Sequence, residues 1–388
     1  MSSLSRIYFD NSATTPVDPR VAEAMQPFQR GICGNPSSMY SEGREAHQAV
    51  ESAREQVALL LNANPCEVVF TACGTESDNT ALGIVELFEG KSHIVTSAFE
   101  HPAIMETCRH LTRRGIAVTH VMPDSDGIVQ PEALAKALRP ETRLVSIMAA
   151  QNVVGTIQPI ADLARIARDH GAIFHTDAVQ AVGKLPIDMQ RDGIDLLSLS
   201  AHKLNGPKGV GALIVGKEIP FRPFLRGGGQ ESGRRSGTEN VAGIVGLGKA
   251  AEIARAEMTQ EASRLVRLRD KLIKGVESIA PYAYIIGHRF RRLPGHICLG
   301  FHELEGQAIK VLLSLDKQGI SVSTGSACSA HHAGEPSYVL TAMGFDSVRA
   351  RGSLRITLGR FNTEDDVDFF LSVLPETLAG LKPITSVR

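Results

Sequence analysis

The feature that most restricts the fold of this chain is an alternation running from about residue 67 to residue 215. Seven short runs are rich in β-branched and apolar residues: Val68–Thr71, His93–Ser97, Ala117–Val121, Arg143–Met148, Ala172–Asp177, Leu196–Ala201 and Val210–Val215. Between them lie longer stretches whose apolar residues recur with helical spacing. One sets Ile160, Leu163, Ala164, Ile166 and Ala167 against Asp162, Arg165 and Arg168 on the other face. Another opens at Pro102, a favoured first helical position, and continues through Ile104, Thr107, Cys108 and Leu111. Strands alternating with helices build βαβ units, so the predicted fold class is α/β, with a mostly parallel seven-stranded sheet covered by helices. A Gly-rich segment, residues 226–238, ends the alternation, and a charged helical stretch, about Val241–Ser278, follows as a connector. The remaining residues carry strands (His296–Phe301, Ser353–Leu358) and helices (about Glu305–Gln318 and Thr363–Leu381) of their own. The expected division is a large domain, residues 17–256, and a smaller α+β domain, residues 1–16 with 257–388.

Charge removes one class of function. The chain has 41 Lys+Arg against 42 Asp+Glu, a formal charge of −1, whereas a nucleic-acid binder clusters cations against phosphates. No apolar run of about 18 residues occurs, so no transmembrane helix is expected. The start, Met-Ser-Ser-Leu-Ser-Arg-Ile-Tyr-Phe, lacks the apolar centre of a signal peptide. The six cysteines (Cys33, Cys66, Cys73, Cys108, Cys298 and Cys328) are scattered, with neither C-x-x-C nor metal-ligand spacing. Free thiols in a reducing, cytoplasmic compartment are expected, with no metal site. Cys66, Cys73, Cys108 and Cys298 fit buried small hydrophobes. Cys328 does not, because its surroundings, Ser323-Thr-Gly-Ser-Ala-Cys-Ser-Ala-His-His-Ala-Gly334, hold no large apolar side chain and predict an exposed loop.

The densest cluster of chemistry is Ser200-Ala-His-Lys-Leu-Asn-Gly-Pro-Lys-Gly-Val-Gly211, where a strand gives way to a basic, Gly-rich loop. Ligands of α/β sheets bind at the carboxyl ends of strands. A lone lysine there is ordinarily solvated. Lys203, however, stands beside Ser200 and His202 and follows Asp177, in His175-Thr-Asp-Ala-Val-Gln180, by one strand–connection–strand unit. A lysine that bonds an aldehyde and an aspartate that holds a pyridinium nitrogen are the pair pyridoxal phosphate requires. A neighbouring cation or burial would lower the lysine from its usual value near 10.4 and free its lone pair. Phe70-Thr-Ala-Cys-Gly74-Thr75-Glu-Ser-Asp-Asn offers a strand, a tight turn and a helix N-terminus, a cradle for phosphate with the Thr75 hydroxyl as added donor. The same residues also read as a plain helix cap. His101, where a strand meets the Pro102 helix, can stack on a flat cofactor or simply cap that helix.

Several segments together resemble the NifS/IscS-type cysteine desulfurases. They are Tyr8-Phe-Asp-Asn-Ser-Ala-Thr-Thr-Pro16, Gly34-Asn-Pro-Ser-Ser38, Gly74-Thr-Glu-Ser-Asp-Asn79, Glu100-His101, Ala201-His-Lys-Leu-Asn-Gly-Pro-Lys-Gly209, Arg235-Ser-Gly-Thr238, Thr324-Gly-Ser-Ala-Cys328 and Glu335-Pro-Ser-Tyr-Val-Leu340. The resemblance spans nearly the whole chain. It implies a pyridoxal phosphate-dependent enzyme of fold type I, a homodimer that takes sulfur from L-cysteine, releases L-alanine and holds a persulfide. By position it makes Lys203 the cofactor-bonding lysine, Asp177 the partner of the ring nitrogen, and His101 a catalytic residue that stacks on the ring and relays protons. It places Asn152 and Gln180 near the ring hydroxyl, with Asn152 also facing the substrate, and Gly74, Thr75, Ser200 and His202 at the phosphate. Thr238 would complete the phosphate site of the second subunit. Arg355, in Ser353-Leu-Arg-Ile-Thr-Leu-Gly359, would clamp the substrate carboxylate, and Cys328 would be the nucleophile.

The chain departs from the pattern at Gln151 and Val153 beside Asn152, where the wording is more like the SufS branch. It departs again at Ala201 before His202 and at Ser232 after Glu231. His331 and His332 extend the cysteine loop; they either help ionise Cys328 or face solvent. The sulfur acceptor implied is a protein of iron–sulfur assembly, tRNA thiolation or DNA phosphorothioation. The alternatives on the same fold are a selenocysteine lyase and an aminotransferase.

Overall fold

The computed structural model describes residues 6–325 and 335–381. Its order begins β1 (Ile7–Tyr8), α1 (Pro19–Arg30), α2 (Ser41–Leu61), β2 (Val68–Thr71), α3 (Gly74–Gly83), β3 (His93–Ser97), α4 (Pro102–Arg113) and β4 (Ala117–Val121). It continues α5 (Pro131–Ala137), β5 (Thr142–Ser146), α6 (Ile160–His170), β6 (Ile173–Asp177), β7 (Leu196–Ser200), β8 (Gly211–Val215) and α7 (Val241–Ile279). It ends β9 (Ala283–Ile285), β10 (His296–Phe301), α8 (Ala308–Lys317), β11 (Ile320–Ser321), β12 (Ser323–Thr324), α9 (Tyr338–Ala342), β13 (Leu354–Thr357) and α10 (Glu364–Ala379).

The seven runs of the alternation form one seven-stranded sheet in the order β2-β8-β7-β6-β5-β3-β4. All neighbours are parallel except those of β8, which runs antiparallel to both β2 and β7. Successive residues of each strand feed opposite faces, as the pleat dictates. Val95, Val145, Leu197 and Ile214 enter the core shared with α2, α6 and α7. Their neighbours Ile94, Leu144, Leu196 and Leu213 pack instead with Ile104, Cys108 and Leu111 of α4. Both faces are covered, which is why these strands read as continuous apolar runs. β5 stops before the expected Met148 because the Met148 N–H bonds the Glu100 carboxylate (3.1 Å) rather than a neighbouring strand. β7 likewise stops at Ser200, where residues Ala201–Lys203 tighten into a 3₁₀ turn.

A four-stranded antiparallel sheet, β12-β13-β10-β9, packs on α7 and α10 around Phe9, Leu272, Ile297, Leu299, Leu354, Ile356 and Phe370. The chain start joins this part: β1 pairs parallel with β11, and Asp10 bridges to Thr357. Helix α7 runs unbroken through residue 257, packing first against α1 and α2 and then against α10. Among the described residues no helix is long and apolar enough to cross a membrane.

Candidate active site

The strand ends of β5, β6 and β7, the start of α3 and the residues Asp10, Ser12 and Ala13 surround a cleft of about 420 Å³, open to solvent. Gly74, Thr75, His101, Asn152, Asp177, Gln180, Ser200, His202, Lys203 and Arg355 all line it. Thr238 is exposed and lies outside it. Cys328, His331 and His332 lie outside the described residues.

Lys203 reaches the cleft because the chain turns hard after β7. The amides of Leu204 and Gly206 both bond the Ala201 carbonyl (3.0 and 2.9 Å), and a Cβ on Gly206 would meet Ala201 at 2.9 Å. The Ala201 methyl is therefore packed inside this turn, away from the cleft. Lys203 Nζ donates to the carbonyls of Ser12 (2.6 Å) and Ala13 (2.8 Å). Gln180 Nε2 donates to the same Ser12 carbonyl (2.9 Å), and Lys184 Nζ donates to Gln180 Oε1 (3.4 Å). Burial, with Lys203 nearby, pushes the Lys184 ammonium down to about 7. His202 Nδ1 meets Thr14 Oγ1 at 3.1 Å, and its backbone carbonyl accepts from Thr15. Burial first, then Lys203, Lys208 and Lys184, pushes His202 down to about 4, so its ring is neutral at physiological pH.

Asp177 ends β6, two residues after His175 and on the same face of the strand. Polar residues in a central strand buried on both sides need partners. His175 has them in Ser146 Oγ (2.9 Å) and Ser198 Oγ (3.0 Å), and burial pushes it down to about 3. Asp177 accepts from the Val179 amide (2.9 Å); burial raises its carboxyl, while His101 and Lys203 oppose the rise. Asp78 on α3 is raised well above the carboxylate range by burial and then by Asp177. Glu100 is pushed up to about 8 by burial, against the hydrogen bonds from Ser97 and Met148. A cation placed beside Asp177 would favour its charged form, since desolvation is what raises it. His101 is the N-cap of α4; its Nδ1 accepts from the Ala103 amide (3.2 Å), and burial lowers its pKa.

The start of α3 forms the anion-facing wall. The first turn of a helix leaves N–H groups without intrahelical acceptors, and Cys73 places no side-chain cap there. A Cβ on Gly74 would stand 2.8 Å from Val179 Cγ2, so only glycine keeps this wall open. Arg355, on β13, closes the opposite side and is 2% exposed. It donates to the Asn152 carbonyl (3.0 Å) and the Asp10 carboxylate (2.8 Å), and among the described residues its Nε has no hydrogen-bond partner. The Gln151 side chain fixes the turn that presents Asn152: Nε2 donates to the Phe99 carbonyl (2.9 Å), and Oε1 accepts from Val153 and Val154. Val153 is buried beneath that turn. Ser232 stands exposed with φ 56° beside Glu231, whose carboxylate takes Arg54 through paired 2.8 Å bonds.

The cysteines need one correction. Cys108 and Cys298 are buried, and burial pushes both thiols up to about 12. Cys66 is exposed on the 3₁₀ turn Pro65–Glu67, and Cys73 is half-buried at the cleft. Periodicity could not separate these cases, because a turn residue between two apolar runs has the composition of either. Sequence reading also gave no role to Asp10, Ser12, Ala13 or Asp78. The only sign of the first three was the quoted segment Tyr8–Pro16, since their partners lie far along the chain.

Residues 7–370 match the family described as aminotransferase class-V. The chain is 46% identical over 384 residues to the cysteine desulfurase IscS of Dictyoglomus turgidum, covering 98% of this chain and 97% of that protein. It superposes on a solved NifS-like protein with a TM-score of 0.91 at 43% identity, covering 97% of this chain and 100% of the other. A second structure, SspA in complex with cysteine, gives a TM-score of 0.82 at 35% identity, with 92% and 100% covered.

Proposed function

The chain belongs to the class-V aminotransferase family and is a cysteine desulfurase, and from that premise we propose that Lys203 carries a pyridoxal 5′-phosphate cofactor. The observation that carries the reading is one cleft holding a lysine amine, a buried aspartate and a capping histidine opposite a buried arginine. The residues present suit the cofactor. Among the described residues the buried Arg355 Nε has no hydrogen-bond partner, and Gly74 keeps the α3 wall clear for a phosphate. Once bound, pyridoxal phosphate supplies an aldehyde carbon and an electron sink for charge developing at the substrate α-carbon.

Asp177 would accept from the ring nitrogen, His101 would stack on the ring, and Asn152 and Gln180 would hydrogen-bond near the ring hydroxyl. Gly74, Thr75, Ser200 and His202 would hold the phosphate, and Thr238 would reach the equivalent site of a second copy in a homodimer. Arg355 turns its guanidinium to the carboxylate of L-cysteine, with Asp10 holding it in plane. Lys203 Nζ, when unprotonated, takes the α-proton, and the Ser12 and Ala13 carbonyls then receive its N–H groups. The Cys328 thiolate attacks the substrate sulfur. A sulfur–sulfur bond forms, the substrate carbon–sulfur bond breaks, and its electron pair returns to the carbon skeleton, which leaves as L-alanine after protonation. The persulfide on Cys328 then passes its outer sulfur to a protein acceptor in the cytoplasm. The test is a mass measurement on the Cys328 peptide after exposure to L-cysteine without reductant. The peptide gains one sulfur atom in the wild type and none in Lys203→Ala; an unmodified wild-type peptide, with alanine still formed, would contradict the persulfide.

A further inference from the structure

The segment Ser97–His101 carries His101 into the cleft, and contacts from its own layer hold it. The Ser97 hydroxyl meets the Glu100 carboxylate, that carboxylate accepts from the Met148 amide (3.1 Å), and Gln151 Nε2 donates to the Phe99 carbonyl (2.9 Å). A further contact comes from far along the chain. The hydroxyl of Tyr338, first residue of α9, donates to the backbone carbonyl of Glu100 at 2.6 Å. The preceding Ser337 Oγ donates to the Gly325 carbonyl (3.0 Å), and the Gly325 amide bonds Ser353 (3.3 Å), two residues before Arg355. The start of α9 therefore touches both walls of the cleft, the β13 side through Gly325 and the His101 side through Glu100.

The Glu100 carbonyl belongs to the peptide unit whose nitrogen is that of His101. Because the peptide is planar, fixing this oxygen fixes the plane from which the His101 side chain departs. Glu100 is fully buried, so its carbonyl needs a donor. Tyr338, 39% exposed, meets this need with a hydroxyl while its ring stays at the surface.

We propose that Tyr338 is a positioning residue for His101, its hydroxyl setting the Glu100–His101 peptide plane and so the tilt of the imidazole over the cofactor. The proposal rests on the assignment of His101 to the cofactor ring. It accounts for the Glu335-Pro-Ser-Tyr-Val-Leu340 motif, to which the reaction itself gives no task.

The test is Tyr338→Phe, which removes one oxygen and keeps the ring. In the holoenzyme the visible circular dichroism of the bound cofactor changes, and kcat for alanine release falls about three- to tenfold, the range of one hydrogen bond, while KM for L-cysteine moves less than kcat. His101→Gln changes the same band, and the double variant loses less than the product of the two single losses. A lowered thermal midpoint with wild-type dichroism and wild-type kcat well below that midpoint would overturn the proposal, leaving Tyr338 a structural residue. A second readout needs no cofactor. In ¹³C-histidine-labelled protein stripped of cofactor, the His101 ring resonance, assigned with His101→Gln, shifts in Tyr338→Phe; an unmoved resonance overturns the proposal. Should the wild type bind no cofactor, the assignment of His101 fails, and this resonance alone then decides whether Tyr338 holds it.

Discussion

At the scale of single residues, two side chains carry sharp expectations. Arg355 is buried with two of its donors committed to Asn152 and Asp10 and its Nε open. Lysine keeps the charge but not the fork, so Arg355→Lys loses at least one charge-assisted hydrogen bond, about 1.5–3 kcal/mol. Steady-state kcat/KM for L-cysteine then falls about 10- to 100-fold, with cofactor absorbance unchanged; undiminished kcat/KM would remove Arg355 from substrate binding. Lys184 makes a different prediction. Its folded value is about 7 against an ordinary 10.5, so between those values the unfolded chain holds a proton that the folded chain lacks. Folding stability therefore rises with pH across that window, and the penalty for a buried ammonium is fully present below it. Lys184→Met is more stable than wild type near pH 7, and the gap closes toward pH 10.5. Urea unfolding at both ends of the window checks this; a gap independent of pH would show that Lys184 keeps its proton. Sequence reading could find neither Asp10 nor Asp78, because a carboxylate's partner is decided by packing, not by spacing.

Among the elements, those set by period were legible and those set by contact were not. β2, β3 and β4 lie where the alternation puts them. β5 and β7 end early, because a side chain takes the Met148 amide and because the Ala201–Lys203 turn tightens. β1, β11 and β12 have two residues each, too few for any period to show. Helix α3 was legible from its Gly-Thr start, and its proposed role at the phosphate depends on the missing Cβ of Gly74. In Gly74→Val the new atoms press on Val179, 2.8 Å from the first of them, an overpacking cost of about 1–3 kcal/mol. Equilibrium titration with pyridoxal phosphate shows affinity weakened by roughly that amount, with the thermal midpoint of cofactor-free protein less affected. Wild-type affinity would mean that the phosphate lies elsewhere.

For the whole molecule, the cleft depends on a join between chain ends. β1 pairs with β11, Asp10 bridges to Thr357 and pairs with Arg355, and the Ser12 and Ala13 carbonyls receive Lys203. Lys203, proposed to hold the cofactor, and Arg355, proposed to bind the substrate, are thus both held by one segment near the chain start. The resemblance named most of the residues that line the cleft, while the local pattern could place only Asp177, Lys203, His101 and the α3 cradle. In the proposed reaction two residues divide the work, Lys203 for the cofactor and Cys328 for the sulfur. The measurement that tests it most directly is alanine and sulfide release from L-cysteine with dithiothreitol, alongside the visible spectrum, for wild type, Lys203→Ala and Cys328→Ala. The account predicts that both variants lose sulfide release and that only Lys203→Ala loses the band of the lysine-bound cofactor. Full turnover by Cys328→Ala, or a wild type that carries the band and yields neither product, would contradict it.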